Sequence, residues 1–269
     1  MALTNLATPG VYIQEISTLP PSVAAVSTAV PAFIGYTQKG AANVPVRITS
    51  LLEFEGTFGG SYNELYEVNI TSTGGVAINN ATVISQYTLY YHLQMYFGNG
   101  GGPCHIISVG TYDSTSPVID AADFLIVGNP NVGVNVAEQV DEVTLLVAPE
   151  VVELSDSSDI RAIHDAMLAQ CDKLKDRFCI FDVQDTGNPS SDAALFRNSQ
   201  VSANFLKYGG AYYPALDTIL SRSYSTDSVL INDQRSSPVY NTPPNNKLST
   251  IQGGLGGFQH LEVVNSANA

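Results

Sequence analysis

Tryptophan is absent from this chain, and charge is scarce. Asp, Glu, Lys and Arg make up 13% of its 269 residues, about half the usual share. Basic residues are fewest, 11 against 25 acidic, for a net charge of −14. A nucleic-acid partner needs a basic footprint with stacking aromatics, and an anionic membrane needs basic charge, so neither is expected to be bound directly. No apolar run in the sequence approaches the roughly 20 residues of a membrane span. Met1-Ala2-Leu3-Thr4 lacks the basic start and apolar stretch of a signal peptide. The expectation is a chain made in the cytoplasm and not exported by general secretion. Three cysteines, Cys104, Cys171 and Cys179, are an odd count in a long chain. They make no disulfide framework and fit a reducing compartment.

What is present is a 44% apolar fraction. It is enough for a buried core and the opposite of the balance that keeps a chain disordered. The polar remainder is largely Thr, Ser, Asn, Gln and Tyr. A neutral polar surface of this kind suits large permanent contacts.

Along the chain, residues 1–25 read as an arm. Thr8-Pro9-Gly10 signals a turn, Val11 to Ile16 a short strand, and Pro20-Pro21 blocks a helix. Such a strand has no local partner for its hydrogen bonds. It pairs with a distant part of its own domain or with another chain. Residues 26–220 read as an α/β core. Val30 to Tyr36, Cys104 to Val109, Val143 to Pro149, Phe178 to Val183 and Ala211 to Pro214 are apolar runs of strand length. They alternate with helical periodicity over 83–97, over about 158–177 and from Ser191 through Phe205. Ser50 with Glu53 predicts a capped short helix. Residues 61–82 read as a β-prone hairpin or loop insertion turning at Thr73-Gly74-Gly75. The fold class predicted is α/β, a mixed and largely parallel sheet flanked by helices, with an extended N-terminal β arm and a β-rich insertion. Residues 221–269 are rich in Ser, Asn, Gly and Pro. They read as a loosely organised tail or the opening of a further region.

No set of residues assembles into an active site. Gly98 to Gly102 follows a helix and precedes a strand, the reverse of a phosphate loop, and lacks its Lys-Ser/Thr pair. Cys104 and His105 are adjacent on a strand and point to opposite faces. His92 fits a satisfied core or interface histidine. His164-Asp165, with Asp159 and Arg161 nearby, reads as a solvated helix face. Cys171 and Cys179 lack Cys-x-x-Cys spacing, and the four histidines and three cysteines are too scattered for zinc. Asp182 and Asp185 follow a strand end, where α/β active sites lie, but Asp185 to Pro189 is equally a plain turn. No catalytic residue, cofactor or metal is predicted. The alternative function is a small α/β hydrolase using Asp182 or His164.

Several segments together resemble the contractile tail sheath family of myophages, R-type bacteriocins and phage-tail-like injection systems. These are Thr8 to Glu15, Val26 to Thr37 with Gly40, and Phe54 with Phe58-Gly59-Gly60. They continue with Tyr96 to Gly110, Asp141 to Glu150, Arg177 to Asp182 and Lys207 to Pro214. The order and spacing hold over residues 8–216, and the likeness is greatest to the compact sheaths of extracellular injection systems. Family members continue beyond the Tyr-Tyr-Pro segment with an Arg-Arg block and a C-terminal arm. Neither is recognisable here, so a fragment, a short sheath and a sheath paralogue are all expectations. The resemblance implies hexameric rings stacked helically around an inner tube protein, with baseplate and terminator or cap proteins as further partners. It implies assembly in the bacterial cytoplasm into a phage tail or phage-tail-like particle, including released ones. It also implies an arm, Val11, Tyr12, Ile13, Glu15 and Ile16, that joins a neighbouring subunit's sheet, and a contraction that drives the tube through an envelope. A cap or baseplate adaptor built on the same fold is the second structural alternative.

Overall fold

The computed structural model describes residues 29–73, 75–79, 84–114, 116–234 and 247–251. The predicted arm residues Val11, Tyr12, Ile13, Glu15 and Ile16 lie outside them. In chain order the elements are β1 (Pro31–Thr37), β2 (Pro45–Ile48), α1 (Leu51–Phe58), β3 (Tyr66–Ile70), β4 (Val76–Asn79), α2 (Leu89–Gly98) and β5 (Cys104–Thr111). Then follow α3 (Ala121–Phe124), β6 (Leu145–Val147), α4 (Ser157–Leu174), β7 (Phe178–Asp182), α5 (Pro189–Leu195), β8 (Gly209–Tyr212), β9 (Val229–Asp233) and α6 (Leu248–Ile251).

Six strands form one sheet in the order β2-β5-β1-β6-β7-β8. Every pairing is parallel except β2 with β5. All seven residues of β1 are buried, as a central parallel strand covered on both faces requires. On one face α1 and α2 pack Phe54, Phe58, Leu89 and Leu93 against Phe33, Ile48 and Ile106. On the other, α4 brings Ile160, Ile163, Met167 and Leu168 onto Ile34, Ile107, Leu146 and Phe181. This is the mixed, largely parallel α/β architecture expected from the alternating pattern.

Local chemistry sets the helix starts. The Ser50 hydroxyl accepts the Glu53 N–H, while the Glu53 carboxylate takes the Thr49 N–H and hydroxyl. The α4 cap is Asp156, whose Oδ1 accepts the Ser158 N–H at 2.7 Å. That is two or three residues earlier than Ser158 or Asp159, at which the sequence pattern starts this helix. The helix expected from Ser191 through Phe205 is α5 followed by one wider turn, Phe196–Gln200, and then leaves helical geometry.

In the stretch read as a hairpin or loop insertion, β3 pairs antiparallel with β4, and the turn closes with the Thr71 N–H donating to the Gly75 carbonyl. The insertion has a third strand that the sequence did not announce. Within the stretch read as a tail, β9 runs parallel to β3, with Val68, Val229 and Ile231 buried together. Arg222 fastens this return to the core. Its Nη1 donates to Glu64 Oε1 at 2.9 Å and to the Ser85 carbonyl at 2.8 Å, and Glu64 also accepts the Ser85 N–H and hydroxyl. Glu64 is 1% exposed. Arg222→Ala would leave that carboxylate buried without its cation. It is expected to cost about 2–3 kcal/mol of stability in denaturant titration, and the double variant with Glu64→Gln should recover part of it.

Candidate assembly interface

In an open parallel sheet, ligands bind beyond the carboxyl ends of strands, where successive connections diverge. Here that point lies between β1 and β6. The chain after β1 leads to β5 on one side, and the chain after β6 leads to β7 on the other. The protein fills this crevice itself. Glu150, three residues past β6, is fully buried. Its Oε2 accepts the Tyr36 N–H of β1 at 2.7 Å. Its Oε1 accepts the Thr88 and Leu89 N–H groups at 2.9 and 3.0 Å. Those two are orphan donors at the start of α2, the position where a phosphate would sit in a nucleotide-binding fold. Burial pushes the carboxyl up to about 8, against the pull of the three N–H donors. Gly35 makes the approach possible, because a Cβ there would stand 2.7 Å from Glu150 Oε2. Beside the carboxyl, Tyr36, Tyr62, Tyr87 and Tyr112 pack ring to ring at centroid separations between 4.7 and 5.9 Å. The Tyr36 hydroxyl donates to Asp123 and accepts the Asp120 N–H, and burial raises its pKa.

The residues considered for catalysis do not converge. His164 is not on a solvated face, as the sequence suggested. It is 4% exposed, its ring lies against Phe181 and Phe196, and its Nδ1–H donates to the Gln200 carbonyl at 2.9 Å. The helix presents it to the inner side of the wider turn, which the i,i+4 pair Arg161–Asp165 hides in the sequence. Burial holds its pKa down at about 4. A group depressed in the folded state from about 6.5 gives stability that is lost as pH falls from there toward 4. His164→Phe is therefore expected to flatten the decline of Tm between pH 6.5 and 4. The Asp165 carboxylate accepts the Ser202 N–H instead of meeting His164. Asp185 closes the predicted turn on the Gly187 N–H, and it also takes the Ala215 N–H and the Tyr213 hydroxyl. It holds the chain after β8 in place. Asp182 ends β7 and His92 lies on α2, both exposed. Cys104 and His105 do face opposite ways. Cys104 is sealed among the aromatics of α1 and α2, and His105 Nε2 donates to Glu142, which also pairs with Arg47. Among the described residues no cluster of His, Cys, Asp and Glu fits a metal ion, and no helix is long and apolar enough to cross a membrane.

The sheet has two edges with different character. β2 starts with Pro45 and carries Arg47, features that discourage added strands. β8, Gly209-Gly210-Ala211-Tyr212, has neither proline nor charge, and among the described residues it pairs only with β7. The chain just beyond it exposes apolar side chains. Leu216 is 84% and Ile219 99% accessible, and Tyr212 at the end of β8 is 63% accessible. Among the described residues, an open strand edge beside such a segment is a surface suited to another chain. The sequence reads Ala211 to Pro214 as a strand, whereas β8 is Gly209–Tyr212, and nothing in that reading marks it as an edge.

The architecture defines a class: a three-layer α/β domain with a plugged crevice and a small accessory sheet. No protein-family model matches the chain, and no curated protein matches it. Among solved structures it is similar to a chain of the cryo-EM structure of the anti-feeding prophage (AFP) baseplate in contracted state. The TM-score is 0.52 and the identity 24%, over 93% of this chain and 55% of that one. The chain thus spans about half the length of that relative, and the two share a fold. A chain of the AFP helical sheath in contracted state is also found, with a TM-score of 0.36 and 26% identity over 73% of this chain and 44% of that one.

Proposed function

We propose that this chain is a structural subunit of a phage-tail-like contractile injection system, a sheath component without catalytic activity. The observation that carries the reading is the fold shared with an AFP baseplate chain over 93% of the length. The order of sequence blocks over residues 8–216 and the open β8 edge support it. In this reading six copies form a ring, and rings stack helically around an inner tube. The arm Val11, Tyr12, Ile13, Glu15 and Ile16 adds a strand to a neighbour's sheet, and its backbone hydrogen bonds tether subunits while they move. Contraction passes from an extended assembly to one with better contacts between subunits. A second reading, a cap or baseplate adaptor of the same fold at one end of the tail, is favoured by the baseplate origin of that structure.

Immunogold electron microscopy of particles from the source cells, with antibody to this chain, tests both. Gold along the whole of striated rods, in long and short forms, is the expected result. Gold at one end selects the second reading. Rods that carry no gold overturn both.

A further inference from the structure

The two cysteines that the sequence leaves without a motif meet inside the core. Cys171 lies in the last turn of α4 and Cys179 in β7, both fully buried, with their Sγ atoms 3.2 Å apart. A disulfide bond is about 2.05 Å long, so closing one here needs about 1 Å of approach. Arg177 stands beside the pair, fixed by hydrogen bonds to the Ala137 and Val140 carbonyls; its charge favours a thiolate at both sulfurs, while Asp176, which pairs with it at 2.8 Å, opposes this at Cys171. The hydrogen bond between them lowers the Cys171 thiol and raises that of Cys179. Cys104 has no such partner. It sits in the other core cluster, and burial pushes it up to about 12.

We propose that Cys171 and Cys179 form a dithiol that hydrogen peroxide converts into an intramolecular disulfide, fastening the end of α4 to β7. The Cys171 thiolate attacks one peroxide oxygen. The O–O bond breaks, water leaves once protonated, and Cys171 becomes a sulfenic acid. Cys179 then attacks the Cys171 sulfur, the S–O bond breaks, and a second water departs with the Cys179 proton. Two thiols are oxidised and one peroxide is reduced to two waters. Because neither sulfur meets solvent, a small oxidant is required. Entry is through local opening of the α4 end, where Lys175 in left-handed geometry stops the helix. The bridge also restricts the unfolded chain. It operates whether or not the chain belongs to a contractile particle.

The test uses the folded full chain, treated with hydrogen peroxide, then denatured, alkylated and mapped by mass spectrometry. The expected result is a peptide pair joined through Cys171 and Cys179 and one alkylatable thiol, Cys104, where untreated protein has three. Tm should rise by about 5 °C and fall back with dithiothreitol. Cys104→Ser should form the same bridge and leave no thiol, and Cys171→Ser should show neither bridge nor shift. Three alkylatable thiols after treatment, a bridge through Cys104, or sulfinic acid without a bridge would each overturn the proposal.

Discussion

Replacing Glu150 with glutamine is expected to lower Tm by about 10 °C and to remove a pH dependence that the parent protein shows. The carboxyl serves three backbone donors, from Tyr36, Thr88 and Leu89, with no exposure to water. An amide keeps one acceptor oxygen and turns an NH2 toward donors that have nowhere else to go. Leaving one or two buried N–H groups unmet costs about 1–3 kcal/mol each. In a chain of this size that is a shift of several degrees per bond. The pH effect has a definite sign. Burial raises the folded carboxyl from the usual value near 4.5 to about 8. Between those values the folded state holds a proton that the unfolded chain has released, so raising pH favours unfolding. Stability from this group is full below about 4.5 and is lost as pH climbs through 8, by up to about 1.4 kcal/mol per unit. Denaturant titrations of parent and variant at pH 5 to 8.5 should converge toward high pH. A variant with the parent's slope would show that Glu150 is ionised throughout. The His164 window, pH 6.5 to 4, overlaps this one between 4.5 and 6.5 with the opposite sign, so the Glu150 slope is read between pH 6.5 and 8.5.

Glu150 also shows why the sequence reads so unevenly. The core strands are legible because a parallel strand covered on both faces must be apolar along its length, as in Val30 to Tyr36 and Cys104 to Val109. The α1 cap is legible because Ser50 and Glu53 lie within one turn of each other. The start of α2 is not. Helical spacing runs back to residue 83, yet the helix begins at Leu89, where Thr88 makes no side-chain cap. The acceptor for its first N–H groups comes from more than 60 residues away. β9 escaped for the same reason. Five residues in a Ser- and Asp-rich stretch become a strand only by lying beside β3, and Arg222 reaches its carboxylate across 158 positions. His164 looked solvated because its neighbours Asp159, Arg161 and Asp165 are polar; the wider turn that buries it has no local signature. The open edge is a property of strand order, which composition does not contain.

The plugged crevice bears on how the molecule works. The helix N-terminus and the strand ends that carry ligands in other doubly wound sheets are occupied here by Glu150 and a packed tyrosine cluster. That crevice is packed with protein, and among the described residues the β8 edge and the segment after it are open to another chain. In the proposed sheath role this division suits a subunit that transmits force, with a stiff centre and exchangeable contacts at the rim.

Assembly should therefore be separable from folding. In the proposed sheath role, Tyr12→Pro is expected to abolish rod formation, because proline removes a ladder N–H and cannot be accommodated within a paired strand. The Leu216→Asp, Ile219→Asp double variant is expected to do the same from the other side. Those side chains are 84% and 99% accessible, so the subunit loses no core packing, while a desolvated carboxylate in an interface is costly. Both variants should keep the parent's monomer Tm within about 2 °C, and both should sediment as small discrete species where the parent forms polymers visible by negative-stain microscopy. Normal rods from Tyr12→Pro would show that the arm does not tether subunits. Normal rods from the double variant would place the lattice contact elsewhere on the molecule. Loss from the double variant alone would keep the exposed segment as the contact and return Val11 to Ile16 to an edge strand of its own domain.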